Sequence, residues 1–155
     1  MVRRLPDRAY MAIGRTLTHP WFHPFHRRLY RRIGGRGIVG RALGMDMLLL
    51  TTTGRRTGTT RTVPLGAIQV GEAWVVIGSY GGRDHDPAWA LNLRAHPRAR
   101  VQWRDAAWLV VAREAEPVEA DRLWPIVTAA YPGYAVYRAV ATARPVPLFV
   151  LDRVT

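Results

Sequence analysis

From Asp46 onward the chain alternates short apolar, β-branched runs with turn residues, the pattern of successive strands. Met47–Thr53 is apolar and then β-branched, and Gly54 closes it. Arg61–Val70 reads as a second strand that ends at Gly71-Glu72. Ala73–Ser79, with Trp-Val-Val-Ile at its centre, reads as a third that runs out into Tyr80-Gly81-Gly82. Ala99–Arg104 sets Val101 and Trp103 against Arg100, Gln102 and Arg104, the alternation of a half-exposed strand. Ala107–Glu116 and Val146–Leu151 complete the set. Helical stretches lie between them. Asp86-Pro87 predicts a helix start, with Asp capping free N–H groups and Pro in the first turn, running to about His96. Glu116-Pro117 predicts another, to about Ala130; Tyr131-Pro132-Gly133 breaks it, and Tyr134–Ala143 reads as one more. Short antiparallel strands with long helical insertions predict an α+β domain built on a small barrel.

Residues 1–43 differ in character and are read apart from the domain at 44–155. Phe22, Phe25 and Leu29 fall at i, i+3 and i+7, one helical stripe, with Arg27, Arg28, Arg31 and Arg32 off it. Pro20 and Pro24 limit the length of that helix, and Gly34-Gly35-Arg36-Gly37 follows as a link. Two readings stay open: contact with the headgroups of an anionic membrane, or a helix that packs its aromatics on the domain as a lid. Spanning is not expected. A transmembrane helix needs about 20 apolar residues, and the longest charge-free run, Leu123–Tyr137, is broken by Pro125 and Pro132. Ala9–Gly14 is too short for a secretory signal core.

A chain of 155 residues with 48% hydrophobic and 22% charged residues fits one folded domain. All 23 basic residues are arginine, which excludes a Schiff-base or phosphate-loop lysine. Cysteine is absent, excluding disulfides, thiol nucleophiles and Cys-type metal centres, and a reducing cytoplasm is the expected compartment. The net charge of +12 is uneven, because residues 1–61 hold 13 arginines against Asp7 and Asp46. That asymmetry points to an anionic partner: nucleic acid, a membrane surface or a polyanionic small molecule.

The densest motif is Thr51-Thr52-Thr53-Gly54-Arg55-Arg56-Thr57-Gly58-Thr59-Thr60-Arg61-Thr62-Val63-Pro64. Two strands flank a turn with two glycines, three arginines and several hydroxyls. Glycines let backbone N–H groups approach an anion, and guanidinium forks match phosphate oxygens. A solvated hairpin turn is the plain alternative.

This GRRTGxxRxxP core resembles the deazaflavin (coenzyme F420)-dependent nitroreductase and quinone reductase family of actinobacteria. The resemblance continues through Ser79-Tyr80-Gly81-Gly82, Asp86-Pro87-Ala88-Trp89-Ala90-Leu91-Asn92-Leu93, His96-Pro97, Tyr131-Pro132-Gly133-Tyr134-Ala135-Val136-Tyr137 and Pro145–Leu151. It implies a split β-barrel of the flavin-reductase type with a coenzyme cleft beside it, and hydride transfer from reduced F420 to a quinone, nitroaromatic or activated enone. By similarity, Arg55, Arg56 and Arg61 would hold the coenzyme's phosphate and carboxylate tail. Thr57, Val63 and Pro64 would line the same channel, and Ser79, Ala88, Trp89 and Asn92 would border the ring. Tyr131, Tyr134 and Tyr137 would form the substrate wall, with Tyr134 the candidate proton donor. Tyr80 departs from the family pattern, in which a cationic residue is common, and Arg83 is a substitute cation nearby.

Other readings carry less. A cofactor-binding module without turnover shares the same motifs. A nucleic-acid binder would use the basic N-terminal segment, which matches no standard reader motif. His19, His23 and His26 have the spacing of metal ligands, yet Pro20 and Pro24 interrupt the helix this needs, so no metal is expected. Ser79, the single serine, lacks the full nucleophile-elbow pattern of a hydrolase.

Overall fold

Six strands close on themselves. The computed structural model describes residues 4–33 and 44–155, so the glycine-rich link at 34–37 lies outside the described residues. The strands are β1 (Asp46–Thr53), β2 (Thr60–Val70), β3 (Ala73–Ile77), β4 (Arg98–Trp103), β5 (Ala106–Glu114) and β6 (Leu148–Arg153). They run in the order β1-β2-β3-β6-β5-β4, every neighbour antiparallel, and β4 pairs back onto β1. Around them lie α1 (Asp7–Leu17), α2 (Phe22–Ile33), α3 (Ala88–Ala95), α4 (Pro117–Ala130) and α5 (Gly133–Val140), with a 3-10 turn at Tyr80–Gly82.

The alternation of side chains along the strands sorts the core into two layers. Leu48, Leu50, Val76, Val101, Val110 and Phe149 join one cluster that fills the barrel, and α3 adds Trp89, Ala90 and Leu93 to it. The neighbouring positions Val75, Ile77, Leu148 and Val150 face the other way and meet Trp124 and Val127 of α4 and Val136 and Tyr137 of α5.

Boundaries shifted where backbone chemistry decides them. The last strand starts at Leu148 rather than Val146, because Pro145 and Pro147 have no N–H for a ladder; Pro147 offers its carbonyl to the Gly78 N–H instead, at 2.8 Å. The expected Asp86 cap is not made. Pro87 occupies the N-cap position of α3 with no side-chain cap bond, and the Asp86 carboxylate turns to Arg94 and Arg144.

The N-terminal segment departs furthest from its sequence pattern. Helix α1 was not anticipated, and the stripe expected on α2 is wrong: Phe25 is 63% exposed. The face that α2 presents inward is Phe22, His26 and Tyr30, with Phe22 and His26 stacked at 5.2 Å. Tyr30 tolerates complete burial because its hydroxyl donates to the Met47 carbonyl and accepts the Arg104 N–H, both at 2.9 Å. Arg27 adds a bond from Nη1 to the Thr62 carbonyl at 3.1 Å, fixing α2 to β2.

Tyr30→Phe keeps the ring but leaves the Met47 carbonyl and the Arg104 N–H without this partner. The expected loss is about 1–3 kcal/mol, read as a lower urea midpoint with an unchanged m-value.

Candidate active site

A cavity of about 340 Å³ lies beside the barrel, between β2, the loop after β3, the start of α3, and helices α1 and α5. Val63 and Pro64 line it from β2, Ser79 from the loop, and Ala88 and Trp89 from α3. Gly66 lets two side chains of this cavity come close to β2: a Cβ there would sit 2.9 Å from Met45 Cε and 3.0 Å from the Tyr134 hydroxyl.

Tyr131, Tyr134 and Tyr137 converge on one wall of the cavity. Tyr134 stands edge-on to both neighbours, at 5.2 and 6.2 Å. Their protons are ordered. Tyr137 donates to the Tyr10 carbonyl at 2.7 Å, so it accepts from Tyr131 across 3.1 Å. Among the described residues, no hydrogen bond claims the Tyr134 hydroxyl. Burial raises all three above the ordinary tyrosine value of 10.0, and for Tyr131 the bond to Tyr137 adds to it. The wall is therefore three neutral phenols, one with an uncommitted proton.

Sequence reasoning missed that α1 completes this wall. Gly14, Leu17 and Thr18 line the cavity, joined by Pro20 and Phe22. Tyr10 packs edge-on to Tyr131 at 5.4 Å, and Gly14 lies so close that a Cβ would meet the Tyr137 ring at 2.8 Å. The signal available was Tyr10, Gly14 and Leu17 at i, i+4 and i+7, one helical face disguised by a glycine.

The β1–β2 turn sits outside the cavity lining but continuous with it. Arg61 precedes Val63 by two residues on β2, about 7 Å along the strand. Arg55, Arg56, Thr57 and Arg61 are exposed, and among the described residues none of the three arginines enters an ion pair. The turn itself is ordered by Gly54 N–H to Thr59 O and Gly58 N–H to Gly54 O, both 2.8 Å, with Gly58 at φ 69°. Thr57, expected in the channel, turns its Oγ1 to the Thr59 N–H at 3.2 Å. Asn92, expected beside the ring, is buried away from the cavity lining. Its Nδ2 donates to Thr52 Oγ1 at 3.1 Å, and its Oδ1 accepts the Arg55 N–H at 3.0 Å. It ties the arginine turn to α3. Arg83 lies over the Tyr80 ring at 4.5 Å rather than on the cavity wall.

A filled antiparallel barrel with an apolar, aromatic cavity alongside is the architecture of the split-barrel flavin- and deazaflavin-dependent oxidoreductases. HutZ, a heme storage protein of Vibrio cholerae, shares the fold at 14% identity, with a TM-score of 0.52 over 85% of this chain and 89% of that one. Over residues 23–153 the sequence matches the family described as F420H(2)-dependent quinone reductase, and the chain belongs to that family. An F420H(2)-dependent quinone reductase of Mycobacterium tuberculosis (H37Rv) is 36% identical over 132 residues, 83% of this chain and 87% of the relative. A solved F420-H2 dependent reductase, FDR-A, superposes at 34% identity with a TM-score of 0.63, over 68% of this chain and 93% of that one. The protein is thus an oxidoreductase that takes the deazaflavin F420 as its coenzyme. The family match begins after α1, so the helix that completes the tyrosine wall lies upstream of it.

The raised tyrosines set an alkaline limit. In the unfolded chain these phenols ionise near 10.0, whereas in the fold they hold their protons higher. Their stabilisation is complete below that value and is lost as pH rises through and above it. Urea midpoints should fall from about pH 9 to about pH 11, and the fall should be shallower in Tyr134→Phe.

Proposed function

We propose that this chain reduces a quinone, holding the anionic end of reduced F420 at the 54–61 turn and the acceptor against the tyrosine wall. The observation that carries this reading is the run of the chain from the arginines of the 54–61 turn, which enter no ion pair among the described residues, along β2 to an apolar aromatic cavity. The residues present fit the coenzyme. A cavity of about 340 Å³ lies within the range of roughly 300–1,000 Å³ typical of small-molecule sites, and the turn offers guanidinium forks and glycine backbone for a phosphate and a carboxylate tail.

When bound, the coenzyme supplies a hydride; the chain supplies geometry and a proton. Arg55, Arg56 and Arg61 hold the anionic groups, with Thr57 completing the turn that presents them. Asn92 acts through the Arg55 N–H, keeping that turn at a fixed distance from α3. Val63 and Pro64 form the channel floor, and Ser79, Ala88 and Trp89 border the ring. A quinone that accepts a hydride becomes a hydroquinone monoanion, whose oxygen must take up one proton. Tyr134 is the donor, because its proton is free while those of Tyr131 and Tyr137 are committed. The apolar lining excludes water from the acceptor. Planar nitroaromatics and activated enones have the size and electrophilic character to enter the same space.

The N-terminal segment fits a peripheral position at the inner face of the cell membrane. Trp21, just before α2, and Phe25 are 59% and 63% exposed, Arg28, Arg31 and Arg32 lie on the exposed surface of α2, and Pro20 and Phe22 line the cavity next to them. Aromatics flanked by arginine suit an anionic bilayer, and this placement gives a lipophilic quinone a direct route in. Among the described residues no helix is long and apolar enough to cross a membrane.

The decisive experiment mixes the protein anaerobically with reduced F420 and a menaquinone analogue and follows return of the oxidised chromophore, with FMN and NADPH as controls. Arg56→Ala should weaken coenzyme binding by about 1.5–3 kcal/mol at nearly unchanged Tm. Tyr134→Phe should lower kcat by about 100-fold with coenzyme affinity kept. Turnover with NADPH but not F420, or equal affinity in Arg56→Ala, overturns the reading. Flotation with phosphatidylglycerol vesicles tests the membrane contact separately: Trp21→Ser/Phe25→Ser should float several-fold less than the parent, and equal flotation removes this part.

A further inference from the structure

Arg144 lies on the connection between α5 and β6, nine-tenths buried, with its side chain 10% exposed beside Asp86 at 15%. Its guanidinium directs donors to three points of one loop. Nη1 donates to Asp86 Oδ1 at 2.7 Å, Nη2 to the Ser79 carbonyl at 3.1 Å, and Nε to the Arg83 carbonyl at 3.1 Å. The other Asp86 oxygen takes Arg94, and Arg94 reaches Glu114 of β5 through two bonds at 2.7 and 2.9 Å. Residues 79–86 are thereby fastened to the α5–β6 connection through Arg144, and at Asp86 through Arg94 to β5.

That loop needs holding. Tyr80 has φ 48°, and Gly81 and Gly82 follow at 63° and 83°, three left-handed residues in succession. A tyrosine in that region is costly unless its surroundings over-determine it. Ser79, Tyr80 and Gly81 line the cavity, and Pro87 and Ala88 do so immediately beyond Asp86. Helix α1 rests on the same turn, since a Cβ at Gly81 would lie 3.0 Å from the Gly14 carbonyl oxygen.

We infer that Arg144, acting with Asp86, is a positioning residue for the wall that borders the coenzyme ring, an inference that rests on the ring site proposed above. It does not line the cavity. It fixes the Ser79 carbonyl and the Asp86 carboxylate, whose neighbours Tyr80 and Pro87 do, and the Arg83 carbonyl between them. Only a planar fork meets all three acceptors together, so lysine is not an equivalent. Arg113 provides the comparison: it is also paired twice, with Glu119 and Asp152, but no residue of that cluster lines the cavity.

The test titrates full-length wild type, Arg144→Lys, Arg144→Met and Arg113→Met with oxidised F420 by fluorescence. It adds Tm for each and the menaquinone-analogue KM at saturating reduced coenzyme. Arg144→Met should bind F420 about tenfold or more weakly, with the acceptor KM within about twofold of wild type. Arg144→Lys, which keeps the charge beside Asp86, should recover part of the affinity. Arg113→Met should bind F420 as wild type does, whatever its Tm. Wild-type affinity in folded Arg144→Lys and Arg144→Met overturns the inference, as does an equal loss of affinity in Arg113→Met at equal loss of Tm. If Arg144→Met does not fold, Arg144→Lys decides alone. Failure of wild type to bind F420 overturns the ring site itself, a different result from tight binding indifferent to Arg144.

Discussion

The barrel is closed and its inside is full. Pairing of β4 back onto β1 satisfies the backbone all the way round, and Leu48, Leu50, Val76, Val101, Val110 and Phe149 occupy the interior. A ligand of any size therefore has to bind beside the barrel, where helices supply the second wall. That constraint explains why short connections carry so much of the site. The loop at 79–88 and the junction at 131–137 are where the chain leaves the barrel surface and returns.

The arginines divide according to that geometry. Arg94, Arg113 and Arg144 are paired with carboxylates, and Arg144 and Arg94 share Asp86. Arg55, Arg56 and Arg61 have no carboxylate at their turn. An unpaired cation in water is cheap to keep and ready to exchange its hydration for an anion. A paired one near the interior organises backbone. The same residue type thus does two jobs, and the presence of a carboxylate within reach tells them apart. Arg94 and Arg113 are exposed and paired, Arg144 is nine-tenths buried and paired, and the arginines of the 54–61 turn are exposed with no carboxylate beside them.

Much of this was legible in the order of residues. Strand alternation placed all six strands, since a period of two survives single exceptions, and the two-glycine, three-arginine turn announced itself by composition. The three tyrosines were singled out by the family resemblance, and Tyr134 and Tyr137, three apart on one helix after the Pro132-Gly133 break, share a face. What was not legible depended on tertiary partners. Tyr30 and His26 are buried although their polarity argues for a surface, and the hydroxyl of Tyr30 is satisfied by residues 17 and 74 positions away. Asp86 looks like a cap from its neighbours, yet a guanidinium 58 residues on takes its carboxylate. Asn92 follows the same rule, holding Arg55 from 37 residues away. Local pattern predicts elements well; it cannot predict which distant group competes for a polar side chain.

The position of β6 has a consequence for synthesis. It is the last of the six strands in chain order, yet it sits between β3 and β5, pairing with both. A nascent chain on the ribosome accordingly holds two unpartnered strand edges, one each on β3 and β5, until residues 148–153 emerge. The phenol wall waits as well, because Tyr137 must reach back 127 residues to the Tyr10 carbonyl. Translation arrest short of this strand leaves a sticky, open sheet, so chaperone demand should peak late in elongation.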